Sequence, residues 1–202
     1  MKHFGDITQL NGYELPVVDV ITGGSPCQDL SVAGNRQGLA GERSGLFMEQ
    51  IRIVKEMRDH DGTTGRTGID IRPRFMVWEN VPGAFSSNKG KDFQAVLTEI
   101  VRICEPEAAD VPLPDKGKWS KSGCLYDEMG RWSIAWRVHD AQFWGVPQRR
   151  KRIALVADFG GLSAPEVLFE RKGMRGDFEE STEAREGTPN RAEESVGEPD
   201  DV

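Results

Sequence analysis

Val17-Val18-Asp19-Val20-Ile21-Thr22-Gly23-Gly24-Ser25-Pro26-Cys27-Gln28 sets the reading of the whole chain. The apolar run 17–21 reads as a buried strand, and Thr22 to Pro26 closes it as a tight loop. The pattern repeats downstream. Phe75-Met76-Val77-Trp78 is a second apolar run, and Glu79-Asn80-Val81-Pro82-Gly83 ends it as a loop. Between the two runs, residues 29–45 hold four glycines and no sustained period, so they read as a mobile loop. Leu46, Phe47, Ile51, Val54 and Met57 then recur at near-helical spacing, with Ser44 as N-cap. Residues 59–68 are polar and turn-rich. After the second run, Phe93, Val96, Leu97, Ile100, Val101 and Cys104 form an amphipathic helical stripe. Residues 105–131, rich in Pro, Gly and Lys, read as an exposed excursion. Ile134, Trp136 and Val138 alternate as a strand does, and residues 153–157 are a further buried-strand candidate. Strands alternating with helices predict an α/β fold on a parallel sheet.

The chain has 202 residues and a formal charge of −7, which argues against a nucleic-acid partner until the charge is located. Residues 160–202 hold 12 acidic and 5 basic side chains, whereas residues 1–159 hold 21 of each. All of the excess acid therefore lies in the C-terminal part, and the neutral remainder can still carry a basic patch for phosphate. Two regions follow: a domain over 1–159, and an acidic tail over 160–202 expected to be disordered. No apolar run approaches the roughly 20 residues of a membrane span. The opening residues have no signal-peptide core. Three cysteines in no close pair argue against a disulfide framework, so a cytoplasmic location is expected.

Chemistry concentrates where the strands end. In open α/β sheets, ligands bind beyond the carboxyl ends of the strands. If the first two strands are parallel, Cys27 and Glu79 share that edge, as a nucleophile and a proton donor would. Cys104 fits inert burial on a helix face. The apolar flank of Glu79 predicts partial burial, which would raise its carboxyl pKa. Gln148-Arg149-Arg150-Lys151-Arg152 enters a strand directly. Alternation would point Arg150 and Arg152 to one side and Arg149 and Lys151 to the other. There is no G-x-G-x-x-G and no P-loop ending, and His3, His60 and His139 have no metal-ligand spacing.

Gly24-Ser25-Pro26-Cys27-Gln28, Glu79-Asn80-Val81 and Gln148-x-Arg150-x-Arg152, in this order, together resemble the DNA (cytosine-5)-methyltransferases. Gly5-Asp6-Ile7-Thr8 and Ser44-Gly45-Leu46-Phe47 add weaker matches, and the resemblance runs from about Met1 to Asp158. It implies a Rossmann-like methyltransferase sheet with flanking helices. It also implies S-adenosylmethionine as methyl donor, double-stranded DNA as partner, and a cytosine flipped out of the duplex. Carried over residue by residue, Cys27 is the nucleophile, Glu79 the proton donor at N3 and Arg152 the holder of the O2 carbonyl. Arg150 is the second active-site arginine. Asp6, Ile7, Pro26 and Leu46 meet the cofactor. The loop over 29–45 closes on the base, with Arg36 and Arg43 as phosphate contacts. No metal is implied.

Four family features have no match in the sequence: the aromatic-x-Gly-x-Gly turn, the acidic residue on the ribose that follows it, the target recognition region and the closing Gly-Asn-Ser segment. The expectation is an incomplete sheet, the middle of a methyltransferase. A truncated reading frame, a decayed phage-type gene or a split gene would each account for it, the last implying a complementary polypeptide with the missing segments. The isolated chain is then expected to bind S-adenosylmethionine weakly and to methylate nothing. The alternative reading is a non-catalytic remnant or weak DNA-binding fragment. An unrelated cysteine hydrolase lacks a histidine base in a comparable strand-end context.

Overall fold

The computed structural model describes residues 2–25, 45–145 and 147–169. Cys27, Pro26, nearly all of the loop over 29–45, and the chain from 170 onward lie outside the described residues.

Five strands form one sheet: β1 (Val20–Gly23), β2 (Phe75–Asn80), β3 (Ser122–Tyr126), β4 (Ser133–Asp140) and β5 (Lys151–Asp158), in the spatial order β1-β2-β5-β4-β3. Three helices flank it: α1 (Gly45–Thr63), α2 (Lys91–Val101) and α3 (Ala164–Leu168). The fold is therefore α/β, but the sheet is mixed rather than parallel. Only β1 and β2 run parallel, while β5 is antiparallel to both β2 and β4, and β3 is antiparallel to β4. The connections explain the difference. A parallel crossover needs a dozen or more residues, usually a helix. Residues 141–150 between β4 and β5 contain only a 3-10 turn, Ala141–Trp144, so β5 returns beside β4 in the opposite direction.

Element boundaries depart from the sequence reading in instructive ways. β2 runs on through Glu79 and Asn80, two residues past its apolar core, because its pairing with β5 continues to Asn80 opposite Ile153. β3 lies inside the segment read as an exposed excursion; its burial alternates along an edge strand too polar to stand out. β1 is not the buried strand its valines suggest. Val17, Val18 and Val20 are exposed, and among the described residues β1 pairs on one side only. Residues 160–169, read as the start of the tail, hold α3, which packs on β4 and β5.

Alternation divides the sheet into two faces. Met76, Trp78, Ile134, Trp136, Ile153, Leu155 and Ala157 point to one side and meet Phe47, Ile51 and Val54 of α1 and Phe93, Val96, Leu97 and Ile100 of α2. The center of this core is aromatic. Trp78 is fully buried between Phe47 and Phe93, and Phe93 meets Trp119 and Trp136 edge to face. On the opposite face Ala135 and Val156 pack against Ala164 of α3, with Phe75, Val77 and Leu168 beside them.

The edge of the sheet at the start of β2 is fastened by one carboxylate. Asp158 is fully buried; Oδ1 accepts from Arg74 Nε (2.8 Å) and the Gly160 amide (3.0 Å), and Oδ2 from Arg74 Nη2 (2.9 Å) and the Ser163 amide (3.1 Å). Burial alone would raise this carboxyl, but Arg74 and the two amides outweigh it and hold it below the usual range. Such a bidentate, charge-assisted arrangement is strong, and removing one partner strands the other.

Asp158→Ala is therefore expected to lower the unfolding free energy by about 3–5 kcal/mol, measured by urea titration. The native carboxyl is depressed, so its contribution is complete above the unfolded value of roughly 3.9. It is lost as pH falls through the native value, and the wild type should lose stability in that acid window faster than the variant. Cys104 sits in the turn after α2 rather than on the helix, half-buried, and burial pushes its thiol up to about 11. Iodoacetamide at neutral pH should therefore modify exposed Cys124 well before Cys104, as read by peptide mass spectrometry.

Candidate active site

The carboxyl ends of β1 and β2 lie side by side because the two strands are parallel and in register, with Gly23 opposite Trp78. β5 is antiparallel, so its first residues arrive at the same edge: Ile153 faces Asn80, and Ala154 faces Glu79. Three separate parts of the sequence thus meet at one end of the sheet, the third only because β5 runs antiparallel.

Glu79 and Arg152 are joined there. Arg152 Nε lies 2.8 Å from Glu79 Oε1, and Arg152 also donates to the Lys151 carbonyl (2.9 Å). Both side chains project from the α3 face of the sheet, because Glu79 follows Val77 and Arg152 precedes Val156 in the alternation. The partial burial expected of Glu79 is not found: its side chain is 49% exposed. The apolar flank misled because Trp78 faces the helices and Glu79 the other way, beyond the reach of α3. Arg150 is exposed and precedes β5, so the alternation argument applies only from Lys151 onward. The Arg150 carbonyl accepts from the Ala141 amide (3.0 Å), which holds the end of the basic run beside the 3-10 turn after β4. His139 lies directly across from Arg152 in the β4–β5 register.

The start of the loop that leads to Cys27 is fixed from below. Trp78 Nε1 donates to Ser25 Oγ (3.2 Å), and Asn80 Nδ2 donates to the Ser25 carbonyl (3.0 Å). Asn80 also accepts from the Val81 amide through Oδ1 (2.8 Å), which spends both ends of its buried amide on backbone at the two strand ends. Gly24 sits so close to Glu79 that a Cβ there would lie 3.2 Å from Oε2. Ser25 and Asn80 were not assigned roles from sequence, yet the signal was present. Asn80 falls on the buried phase of Met76 and Trp78, and a polar residue on a buried phase must find partners.

The amino-terminal segment is strapped to α1. Arg52 donates to the carbonyls of Ile7 (3.0 Å) and Leu10 (2.9 Å) while pairing with Glu49 and Glu56, and the Gly12 amide donates to Glu56 (2.7 Å). Asp6 caps the 3-10 turn Ile7–Gln9; the Thr8 amide, and then its hydroxyl, hold the Asp6 carboxyl below its ordinary range. Leu46, at the start of α1, is exposed. Asp6, Ile7 and Leu46 are thus attached to one helix, offering a charged acceptor and two apolar side chains. Pro26 and Cys27 lie outside the described residues.

The sequence profile for C-5 cytosine-specific DNA methylases matches residues 1–103, half of the chain. This chain belongs to that family. Members of the family use S-adenosylmethionine as methyl donor and act on DNA. Among curated proteins, the chain is similar to a DNA N-6-adenine-methyltransferase of Escherichia phage P1, 33% identical over 87% of this chain and 25% of the relative. It is also similar to the type II methyltransferase M2.BsuMI of Bacillus subtilis, 32% identical over 75% of this chain and 29% of the relative. The solved S. pombe Dnmt2 methyltransferase is 16% identical, with a TM-score of 0.42 over 85% of this chain and 42% of that one. The chain thus spans between a quarter and a third of the length of these curated relatives. Among the described residues, no helix is long and apolar enough to cross a membrane.

The Glu79–Arg152 pair is partly solvent-exposed, and exposed pairs contribute at most about 1 kcal/mol. Arg152→Ala should therefore leave the urea midpoint close to that of the wild type. A large loss of stability would show that the pair serves the fold rather than the site.

Proposed function

We propose that this chain carries the catalytic segment of a DNA cytosine-5 methyltransferase, the domain over 1–159 supplying the chemistry. The observation that supports this best is the Arg152–Glu79 pair at 2.8 Å, beside the Ser25 anchor, two residues before Cys27 in the chain. An anionic and a cationic side chain, at the strand end from which the sequence runs on to Cys27, match the polarity of a cytosine edge.

Cytosine C5 is a poor nucleophile. Addition of the Cys27 thiolate to C6 saturates that carbon and gives the ring enamine character at C5. Negative charge then develops toward N3 and O2. Glu79, protonated from solvent as the base displaces it from the ion pair, passes that proton to N3, and the freed Arg152 holds the O2 carbonyl by hydrogen bonding. Arg150, on the same edge, steadies the site and the DNA backbone. When bound, S-adenosylmethionine supplies an electrophilic methyl group, with Asp6, Ile7, Pro26 and Leu46 holding its adenine and methyl ends. Loss of the C5 proton to a base, elimination of the Cys27 thiolate and return of the N3 proton to Glu79 restore the neutral aromatic ring. The target atoms are closed off in a stacked duplex, so the base must be extruded at a cost of a few kcal/mol.

A second reading follows from the phage relative, whose name specifies adenine N-6. Transfer to an exocyclic amine needs no thiol, so Cys27 discriminates between the two. The test joins this chain to the remaining catalytic segments of a family member and adds labelled methyl donor and duplex DNA. Cys27→Ala should abolish transfer and Cys104→Ala should not, and nucleoside mass spectrometry should find 5-methylcytosine. A duplex carrying 5-fluorocytosine should trap a covalent adduct, since fluorine cannot leave as the proton does. N6-methyladenine, or full turnover by the Cys27→Ala assembly, would overturn the proposal.

A further inference from the structure

Two loops meet at the carboxyl edge of β2. Residues 82–90 follow directly from Glu79 and Asn80 and lead into α2, and the turn Asp115–Gly117 packs against them. The approach is backbone on backbone. A Cβ on Gly90 would lie 2.4 Å from the Gly117 carbonyl oxygen, and one on Gly117 would lie 2.1 Å from that of Lys89. Trp119 Nε1 closes the junction by donating to the Gly90 carbonyl (2.8 Å), and its ring enters the aromatic core. The junction is therefore rigid and immobile relative to the sheet.

Four exposed lysines ride on it: Lys89, Lys91, Lys116 and Lys118. None of them joins an ion pair among the described residues. The arginines at the far edge behave differently: Arg72, Arg74, Arg102 and Arg131 are each paired with a carboxylate. Two of the four lysines also sit where lysine is costly. Lys89 (φ 57°) and Lys116 (φ 58°) adopt the left-handed conformation, which glycine or asparagine occupies with less strain. Lysine at a strained position, twice, in two loops pressed together, points to a use for the side chains.

We propose that Lys89, Lys91, Lys116 and Lys118 form a ridge that binds the phosphate backbone of duplex DNA beside the flipped base, an inference that rests on the DNA-directed reading above. The ridge shares the strand-end edge with Arg149–Arg152 but comes from different loops, so it lengthens the contact rather than repeating it. Its lysines hold register and carry no sequence information.

The test measures anisotropy of a fluorescently labelled duplex with the purified 202-residue chain across a potassium chloride series. Each phosphate contact contributes about 0.9 to the slope of log affinity against log salt. Lys89→Gly with Lys116→Gly, and separately Lys91→Gln with Lys118→Gln, should each reduce the slope by up to about 1.8. Lys55→Gln on α1, where Lys55 faces Glu99, should leave it unchanged. The glycine pair should not lower the thermal midpoint, since it relieves the left-handed backbone; a purely structural role predicts the reverse. Slopes equal to the wild type in both pairs would overturn the ridge. So would absence of duplex binding by the wild-type chain, or tighter binding of a duplex RNA of the same sequence. Adduct formation at Cys27 with unchanged slopes would remove the ridge and leave the catalytic proposal standing. Reduced slopes without any adduct would do the opposite.

Discussion

The structure turns on the indole of Trp78. Its ring fills the middle of the core between α1 and α2, in contact with Phe47 and Phe93, and its Nε1 leaves the core to bond Ser25. A buried indole must find an acceptor for its N–H, and here the acceptor is Ser25, at the start of the loop that follows β1. Packing and site geometry are therefore one constraint. Anything that loosens the aromatic core frees the Ser25 anchor, and Asn80, next but one along the strand, clamps the same residue through its backbone. The α3 face is different in kind. Its few apolar contacts are weaker, and a charged lock at Asp158 fastens the opposite edge of the sheet.

That division of labour separates stability from function. The Asp158–Arg74 lock is buried, fully hydrogen-bonded and distant from the strand ends that matter for chemistry. The Glu79–Arg152 pair is partly open to solvent and holds little of the fold together. An ion pair so open to solvent at a strand end is free to exchange partners, which the buried lock at Asp158 is not. The basic character of this edge is also local. The chain is acidic in sum; among the described residues Arg72, Arg74, Arg102 and Arg131 are paired with carboxylates at one end of the sheet, whereas at the other Lys89, Lys91, Lys116 and Lys118 join no ion pair.

Much of this was legible in the sequence. The two strand-loop junctions and the helix at 91–101 follow from apolar periodicity and from where the strands end. The meeting of Glu79 with Arg152 was implied only by the family resemblance, because a parallel sheet would have put the start of β5 at the opposite edge. What failed did so for physical reasons. Strand direction is set by connection length, and the ten residues before β5 are too few for a crossover, a fact periodicity alone does not carry. β3 was lost because an edge strand needs few apolar residues. Burial of Glu79 was misjudged because neighbours in sequence occupy opposite faces of a strand. Asn80 could have been flagged as a polar residue on the buried phase of β2, but its partner Ser25 is visible only when two strand ends lie side by side.

The contact between Gly90 and Gly117 has a consequence for how such a protein can change over time. Each glycine is defined by the other's backbone, so neither position is free to drift by itself. A single side chain at either site would push the two loops apart and take Trp119 out of the core. A lineage that lost one glycine would have to re-route the opposite loop in the same step. The two positions should therefore behave as one heritable unit, although 27 residues of chain separate them.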